Sequence, residues 1–502
     1  MKSLKIMIAL MVGVALFFTG CEDLFDDVEP ATSVSGEEAL SSPEGVEAIR
    51  ASMYSTVRAA KEYTTRYFIA PDSFTDLLRG RPGTTRYQGY NEATEGDGTT
   101  LHLTSWGASY DIIQDANLLI GGVPEGVLEP DVEELYRGEA LAMRAFAMHH
   151  LVRGYGYEPG REVDGWDAGI IIRTDPVMDE EDADARPRNT VTEVYDQIID
   201  DLDEAAGLLE GYVSQGRMDE SFVHGLAARV HLYAGNYELA AQHAQTVIDI
   251  GEYPLADTES AVVGMFGLPG NPGSHPETIF LLVVDGSTEY FTAAFGDPLD
   301  WMVNTGPSAY TSNQWVAQLP VQQVLDRYEE GDYRLGWYNE CFDHRDGSTP
   351  SDCDAVNDQG WTIDKFPASK HVGNQADDMP YMRTGEIYLI LAEAEAKAAN
   401  DPSAGAPALN TLRNARGVGN VPSSALASME AFEDFILDER VRELIAEGHR
   451  FWDLKRLGRD IRNPDGSTKF RTDSHRILAP LPVDEFSVNE LLTQNPGYPG
   501  GN

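Results

Sequence analysis

The sequence predicts a mainly α-helical protein assembled from stacked antiparallel helix pairs, and three observations carry that prediction. Amphipathic stretches recur along the chain with helical period. Some of these stretches stand as close pairs around a short turn, with small residues where the two helices would touch. Between the pairs lies a long segment, about 258–376, rich in Gly, Pro, Asn and aromatic residues, which reads as loops carried on the helical body.

Taken in order, Glu133 to Tyr155 places Leu135, Ala142, Phe146 and Leu151 near one face. Thr192 to Leu209 places Val194, Ile198, Leu202, Ala205 and Leu209 along one stripe with carboxylates opposite, and Thr190 or Thr192 supplies a cap for its start. Phe222 to Ala234 and Tyr237 to Ile250 form a pair around Gly235-Asn236. In that pair Tyr233, Gly235, Tyr237, Ala240 and Ala244 fall at the spacing of a tetratricopeptide unit, where alanines let two helices approach and aromatics fill the gap beside them. A second unit joins Glu386–Ala399 to Ala404–Arg416 across Asn400-Asp401-Pro402. One pair cannot bury its apolar face alone, so the pairs must stack, about four of them in all. The predicted fold is therefore a tetratricopeptide-like helical-pair scaffold with a loop-rich, partly irregular face. Length alone would suggest two to four domains. The pattern instead gives a single α domain over 41–502, with Thr278 to Val284 as a buried-strand candidate inside its loop-rich insertion.

The beginning of the chain is set apart from this body. Lys2 and Lys5 precede an apolar run of thirteen residues, Ile6 to Phe18. A membrane-spanning helix needs roughly 20 apolar residues, so the run fits a secretory signal instead. It ends in Phe18-Thr19-Gly20-Cys21, the small-residue-then-cysteine order that a lipoprotein signal peptidase requires. Residues 1–20 are the expected signal peptide, Cys21 the lipidated residue, and 21–40 an acidic tether opened by Glu22-Asp23-Leu24-Phe25-Asp26-Asp27. Several acyl chains on one cysteine satisfy the need for more than one chain in stable anchoring.

Charge excludes some partners. The chain carries 83 acidic and 37 basic residues, a formal net charge of −46, with only eight lysines against 29 arginines. Such a field opposes binding to nucleic acid and to anionic lipid surfaces. It also makes the folded chain repel itself unless salt screens it, the Debye length falling from ~10 Å at 0.1 M to ~3 Å at 1 M. A lysine-poor acidic surface thus points to a salty habitat. The mature protein is expected to melt at a higher temperature in molar NaCl than in dilute buffer, by more than a neutral control protein does; a flat or falling melting point would contradict that reading. Apart from Cys21, only Cys341 and Cys353 occur, in Cys341-Phe-Asp-His-Arg-Asp-Gly-Ser-Thr-Pro-Ser-Asp-Cys353. Outside the cell they are expected to close a disulfide; a metal site with His344 would lack a clear fourth ligand.

Several blocks in fixed order resemble the SusD/RagB family. They are Glu139-Ala-Leu-Ala-Met-Arg144-Ala-Phe146 with Tyr155-Gly156, and Arg188-Asn-Thr190-Val191 leading to Tyr195, Ile198, Asp201 and Leu202. Pro380-Tyr-Met-Arg383-Thr-Gly-Glu386-Ile-Tyr-Leu389 with Ala392-Glu393-Ala394 is similar to the family's most recognisable helix, followed by Leu409-Asn410 and Arg413-Asn-Ala-Arg416-Gly417. Glu439-Arg440-Val-Arg442-Glu443-Leu444 continues into Glu447-Gly448-His449-Arg450, Trp452-Asp453-Leu454 and Arg456. Pro480-Leu-Pro482, Glu485 and Gln494-Asn495-Pro496-Gly497-Tyr498 close the series. The resemblance implies a lipid-anchored outer-membrane protein facing the cell exterior, which captures a glycan without chemistry and delivers it to a SusC-like TonB-dependent transporter. It leaves a peptide ligand open. Read from the residues alone, the same blocks are scaffold. Glu386, Glu393, Arg440, Glu443 and Arg450 stand at spacings that permit ion pairs and would lock neighbouring helices, and Trp452 reads as core rather than as a ligand platform.

No nucleophile elbow, zinc-protease helix or phosphate-cradling loop is present, and no cofactor is implied. His149-His150 falls within a helix and reads as ordinary helix residues; Asp343, Asp346, Asp352, Asp354 and Asp358 lack an EF-hand's spacing and read as a solvated acidic loop. No metal ligand is assigned. A helical glycoside hydrolase with two hidden carboxylates and a purely structural repeat protein are the rival classes. Binding sites concentrate on loops held by a rigid scaffold, and a sugar needs a flat aromatic beneath its C–H face with planar polar groups at its rim. The expected ligand contacts are Arg81, Tyr87 and Tyr90 in the Asp72–Thr100 loop, joined by Arg79. In the later loop they are Tyr290, Trp301, Asn304, Tyr310, Asn313 and Trp315, with Phe291 beside them.

Overall fold

The computed structural model describes residues 36–499 except 59–62, 64, 69, 81–104, 180–181, 267–274, 284–317, 341–360, 364 and 367–377. The helices that build its body are α1 (Pro43–Arg58), α2 (Trp106–Asn117), α3 (Pro130–Tyr155), α4 (Val191–Leu208), α5 (Glu220–Ala234), α6 (Tyr237–Ile250), α7 (Thr384–Ala399), α8 (Pro402–Ala415), α9 (Met429–Leu444) and α10 (Arg450–Arg456). Each of the first seven packs on the next, in the order α1, α2, α3, α4, α5, α6, α7, α8. That is four successive helix pairs stacked one on the next, the predicted scaffold, with α9 laid against α7.

Local chemistry sets the boundaries. Thr190 Oγ1 accepts from Glu193 N at 3.2 Å while Thr190 N donates to Glu193 Oε2 at 2.8 Å, a capping box that starts α4. Asp219 Oδ1 accepts from Phe222 N at 2.8 Å and starts α5, and Asp401 Oδ1 accepts from Ser403 N at 2.9 Å and starts α8. The predicted stripe of α4 is buried throughout: Val194, Ile198, Leu202, Ala205 and, just past its end, Leu209. In α3 the whole stretch Gly138–Tyr155 is buried, because α2 covers one side and α4 the other. Ala240 and Ala244 of α6 are fully buried, as small residues at a helix contact should be. Trp452 is 1% exposed and belongs to the core.

The strands that bear on the site are short and pair in twos: β1 (Leu78–Gly80) with β3 (Gln318–Pro320), β2 (Thr278–Leu282) with β6 (Met379–Arg383), and β4 (Tyr338–Glu340) with β5 (Trp361–Ile363), all antiparallel. The strand expected at 278 is β2, buried along its whole length. Two expectations change. The block beginning Pro380 is not helical at its start: Met379–Arg383 is extended and paired with β2, and the helix begins at Thr384. The early loop also begins later than Asp72, since Ala70–Ser73 is a helical turn and Leu78–Gly80 is a strand. The cause is tertiary. The buried Asp72 carboxylate accepts from Ala446 N at 2.7 Å and Arg450 N at 3.1 Å, which fixes this segment against the chain near α10.

The charged residues at helical spacing do lock neighbours, but mostly through partners supplied by other elements. Arg229 of α5 makes two bonds to Glu386 of α7, at 2.7 and 2.6 Å. Arg456 of α10 does the same to Glu393 of α7, at 2.6 and 2.7 Å. Arg144 of α3 grips Asp201 of α4 at 2.8 and 2.6 Å, and Arg50 of α1 grips Glu139 of α3 at 2.8 Å twice. Two-pronged guanidinium–carboxylate pairs fix orientation as well as distance, so each staple sets how one helix sits on another.

Candidate ligand face

The expected ligand face is reached through paired strand stems. In the β1–β3 register Gly80 lies opposite Gln318. Residue 81 follows β1 directly and residue 317 precedes β3 directly, so the end of one segment and the start of the other are rooted side by side. In the β2–β6 register Leu282 lies opposite Met379, which sets the departure of 284–317 beside the arrival of 367–377. The β4–β5 pair closes 341–360, with Glu340 opposite Trp361, and β5 packs against β3. Four segments therefore spring from paired stems.

A buried ionic cluster holds those stems. Arg383, the last residue of β6, donates to Glu447 Oε2 at 2.7 Å, Glu277 Oε1 at 2.7 Å, Glu443 Oε1 at 2.8 Å and the Glu443 carbonyl at 2.8 Å. Arg416, just after α8, reaches the same Glu277 and Glu443 at 2.9 and 2.8 Å. Arg334, between β3 and β4, pairs with Asp332 at 2.7 Å, Glu439 at 2.8 Å and Glu443 at 3.0 Å. Lys365, just after β5, donates to Glu447 and to the Glu443 and Ile445 carbonyls. Arg327 and Arg450 both bond Asp76 at 3.0 Å, two residues before β1. The side chains of Arg334, Glu439, Glu443, Glu277 and Arg416 are 0% exposed.

Electrostatics follows from that burial. Desolvation on its own would raise Glu443. The Arg416, Arg383 and Arg334 guanidiniums outweigh it and hold the carboxyl well below the usual range. The same contest leaves Glu439 at about 2, through Arg334, Arg442 and Arg413. Glu447 is lowered as well, burial being outweighed by Arg383 and Lys365. Burial pulls the Lys365 ammonium down to about 8 despite Glu447. Asp72 goes the other way: desolvation pushes it up to about 7, against the backbone N–H groups and Lys365 that oppose the shift. Isolated groups with such shifts are candidates for acid–base work. Here most are saturated by mutual pairing, which makes the cluster a structural frame.

Arg81, Tyr87, Tyr90, Tyr290, Trp301, Asn304, Tyr310, Asn313 and Trp315 lie outside the described residues, as do Cys21, Cys341 and Cys353. Arg79 is in β1 and half-buried. His149 and His150 are buried in α3. Sequence reading missed Glu277 and Lys365 altogether. Each is an ordinary charged residue in a loop-rich stretch, and nothing local marks it as one partner in a cluster assembled from distant parts of the chain. Among the described residues no group of three or more ligating side chains converges on a metal position, and no helix is long and apolar enough to cross a membrane.

Stacked helix pairs carrying ionically locked strand stems define a helical-repeat scaffold protein. The chain belongs to the SusD family: residues 332–498 match the SusD family model, and residues 25–232 match one described as starch-binding, associating with the outer membrane. It is 24% identical to the SusD-like protein P38 of Formosa agariphila over 99% of both chains. In fold it is similar to a SusD-like carbohydrate binding protein from Bacteroides vulgatus, with a TM-score of 0.71 and 22% identity over 89% of this chain and 96% of that one. It is also similar to a laminarin binding SusD-like protein, with a TM-score of 0.69 and 20% identity over 91% of this chain and all of the other.

Proposed function

We propose that this protein is a surface receptor of the outer membrane, held by lipid on Cys21, that captures an oligo- or polysaccharide on its loop face and passes it to a SusC-like TonB-dependent transporter. The observation that carries the reading is the β1–β3 pair. It roots side by side the two regions that hold Arg81, Tyr87 and Tyr90 on one hand and Tyr290, Trp301, Asn304, Tyr310, Asn313 and Trp315 on the other. Aromatic faces with arginine and asparagine among them are the chemistry a sugar ring needs, and pockets generally join an apolar lining to a few placed polar groups. The carbohydrate- and laminarin-binding relatives in fold support a glycan over a peptide. The mutual pairing of most of the buried ionic groups supports capture without catalysis.

Calorimetric titration with a panel of glycans, laminarin included, tests this. Against a glycan that binds, Trp301→Ala, Trp315→Ala, Tyr290→Ala and Tyr310→Ala are each expected to stay folded. At least two of them should lose on the order of 1–3 kcal/mol of binding, by analogy with base–aromatic stacking. Four variants that bind like the parent would move the site elsewhere. Overnight incubation should leave the glycan's length unchanged; shortened product would make the protein a hydrolase instead.

A further inference from the structure

We propose that His224 and His243 form a binding site for one divalent transition-metal ion of the nickel, copper or zinc kind, at the seam between α5 and α6. The site uses no residue of the loop face, so its failure and the failure of the glycan reading are separate outcomes. His224 stands on α5 and His243 on α6, with their Nδ1 atoms 2.9 Å apart. Both residues are half-buried. The surrounding helices hold the rings, and solvent still reaches them.

Two neutral imidazoles cannot turn bare lone pairs toward each other at that distance. Either one Nδ1 carries a proton and donates it to the other, or a cation stands between them. Imidazole nitrogen binds such metals at ~2.0–2.1 Å, and two bonds of that length from nitrogens 2.9 Å apart meet at roughly 90° at the ion. That is the angle between neighbouring ligands in tetragonal copper or nickel coordination, and an opening of roughly 0.5 Å gives the tetrahedral angle that zinc prefers. On metal entry the donor ring moves its proton from Nδ1 to Nε2, so the protein releases no net proton.

His231, two turns along α5 from His224, is not needed as a donor. Its ring stacks on that of His243, with centroids 5.4 Å apart and planes 15° from parallel, and its Nδ1 is 3.3 Å from Asn236 Nδ2. His231 is therefore a positioning residue, which fixes the plane of His243. No third ligating side chain converges on the pair among the described residues, so water completes the coordination. The affinity expected is that of a two-imidazole chelate, weaker than a structural zinc site. Sequence reading assigned no metal ligand, because the two histidines are nineteen residues apart on different helices and form a pair only when those helices pack.

Untagged full-length mature protein in detergent, stripped of metal with a chelator and then freed of the chelator, is titrated calorimetrically with NiCl2, ZnCl2 and CuCl2. One saturable equivalent is expected. His224→Asn and His243→Asn should each weaken it about tenfold or more, His231→Asn by a smaller factor, and His475→Asn not at all. Electron paramagnetic resonance of the copper complex should count two nitrogen donors in the parent and one in either ligand variant. If a variant fails to fold, the parent's nitrogen count decides. No saturable equivalent, fewer than two nitrogens, or unchanged affinity in both His224→Asn and His243→Asn overturns the site.

Discussion

Glu443→Ala is expected to destabilise the protein by about 3–5 kcal/mol, the usual cost of removing one partner from a buried ionic group. Glu443 accepts from Arg334, Arg383 and Arg416, so its loss leaves three buried guanidiniums short of an acceptor. Those arginines come from the β4 approach, the end of β6 and the end of α8, so one carboxylate ties three distant elements together. Urea unfolding at neutral pH measures the loss. An effect under about 1 kcal/mol, the range of an exposed pair, would mean that the cluster does not hold the stems. The acid dependence has a definite sign. Glu443, Glu439 and Glu447 are all lowered in the folded protein, Glu439 to about 2. Their contribution is complete above the unfolded carboxyl value near 4.5 and is lost as pH falls through the folded values. The gap between parent and Glu443→Ala should therefore persist at pH 5 and close only as the pH falls well below the usual carboxylate range.

Gly448→Ala is expected to be at least as damaging, at more than about 4 kcal/mol, because two separate faults coincide. Gly448 has a φ of +77°, which an alanine adopts only with strain, and an added Cβ would lie 1.9 Å from the Tyr67 carbonyl oxygen and 2.9 Å from Phe68 Cα. Both neighbours are backbone, so neither can swing away. The turn that carries Gly448 also presents Ala446 N and Arg450 N to Asp72. Displacing it would shift the segment that leads into β1 and, with it, the root of the first expected ligand loop. Gly126 provides the comparison: its φ is +83° but nothing lies within 4 Å of an added Cβ, so Gly126→Ala should cost only about 1 kcal/mol. Equal stability losses in the two variants would show that the close approach at Gly448 is relaxed without cost.

Both variants probe residues whose presence, but not whose purpose, could be read in the sequence. Gly448 and Glu443 stand in blocks that mark the family, yet only the packed structure gives Gly448 a carbonyl to avoid and Glu443 three arginines to accept. Asp72 read as the start of a loop, because its partners are more than 370 residues away. Pro380 to Arg383 read, by resemblance, as the front of a helix, because nothing local reveals the strand waiting at Thr278.

The sequence by itself marked the helices from Glu133 to Ile250 and from Glu386 to Arg416, the pairing around Gly235-Asn236 and around Asn400-Asp401-Pro402, and an approximate number of pairs, but not the helices Pro43–Arg58 and Trp106–Asn117. Period, caps and turns are local, and an apolar stripe must be covered wherever the helix lies, so Val194, Ile198 and Leu202 announced a buried face and Ala240 and Ala244 a close contact. Tertiary structure alone decided which stripe meets which, where loops end and strands begin, and what each buried charge answers to. Those choices depend on partners brought together from distant parts of the chain. A guanidinium such as Arg383 has the same local surroundings in sequence whether it faces water or Glu277, Glu443 and Glu447, and only packing removes the water.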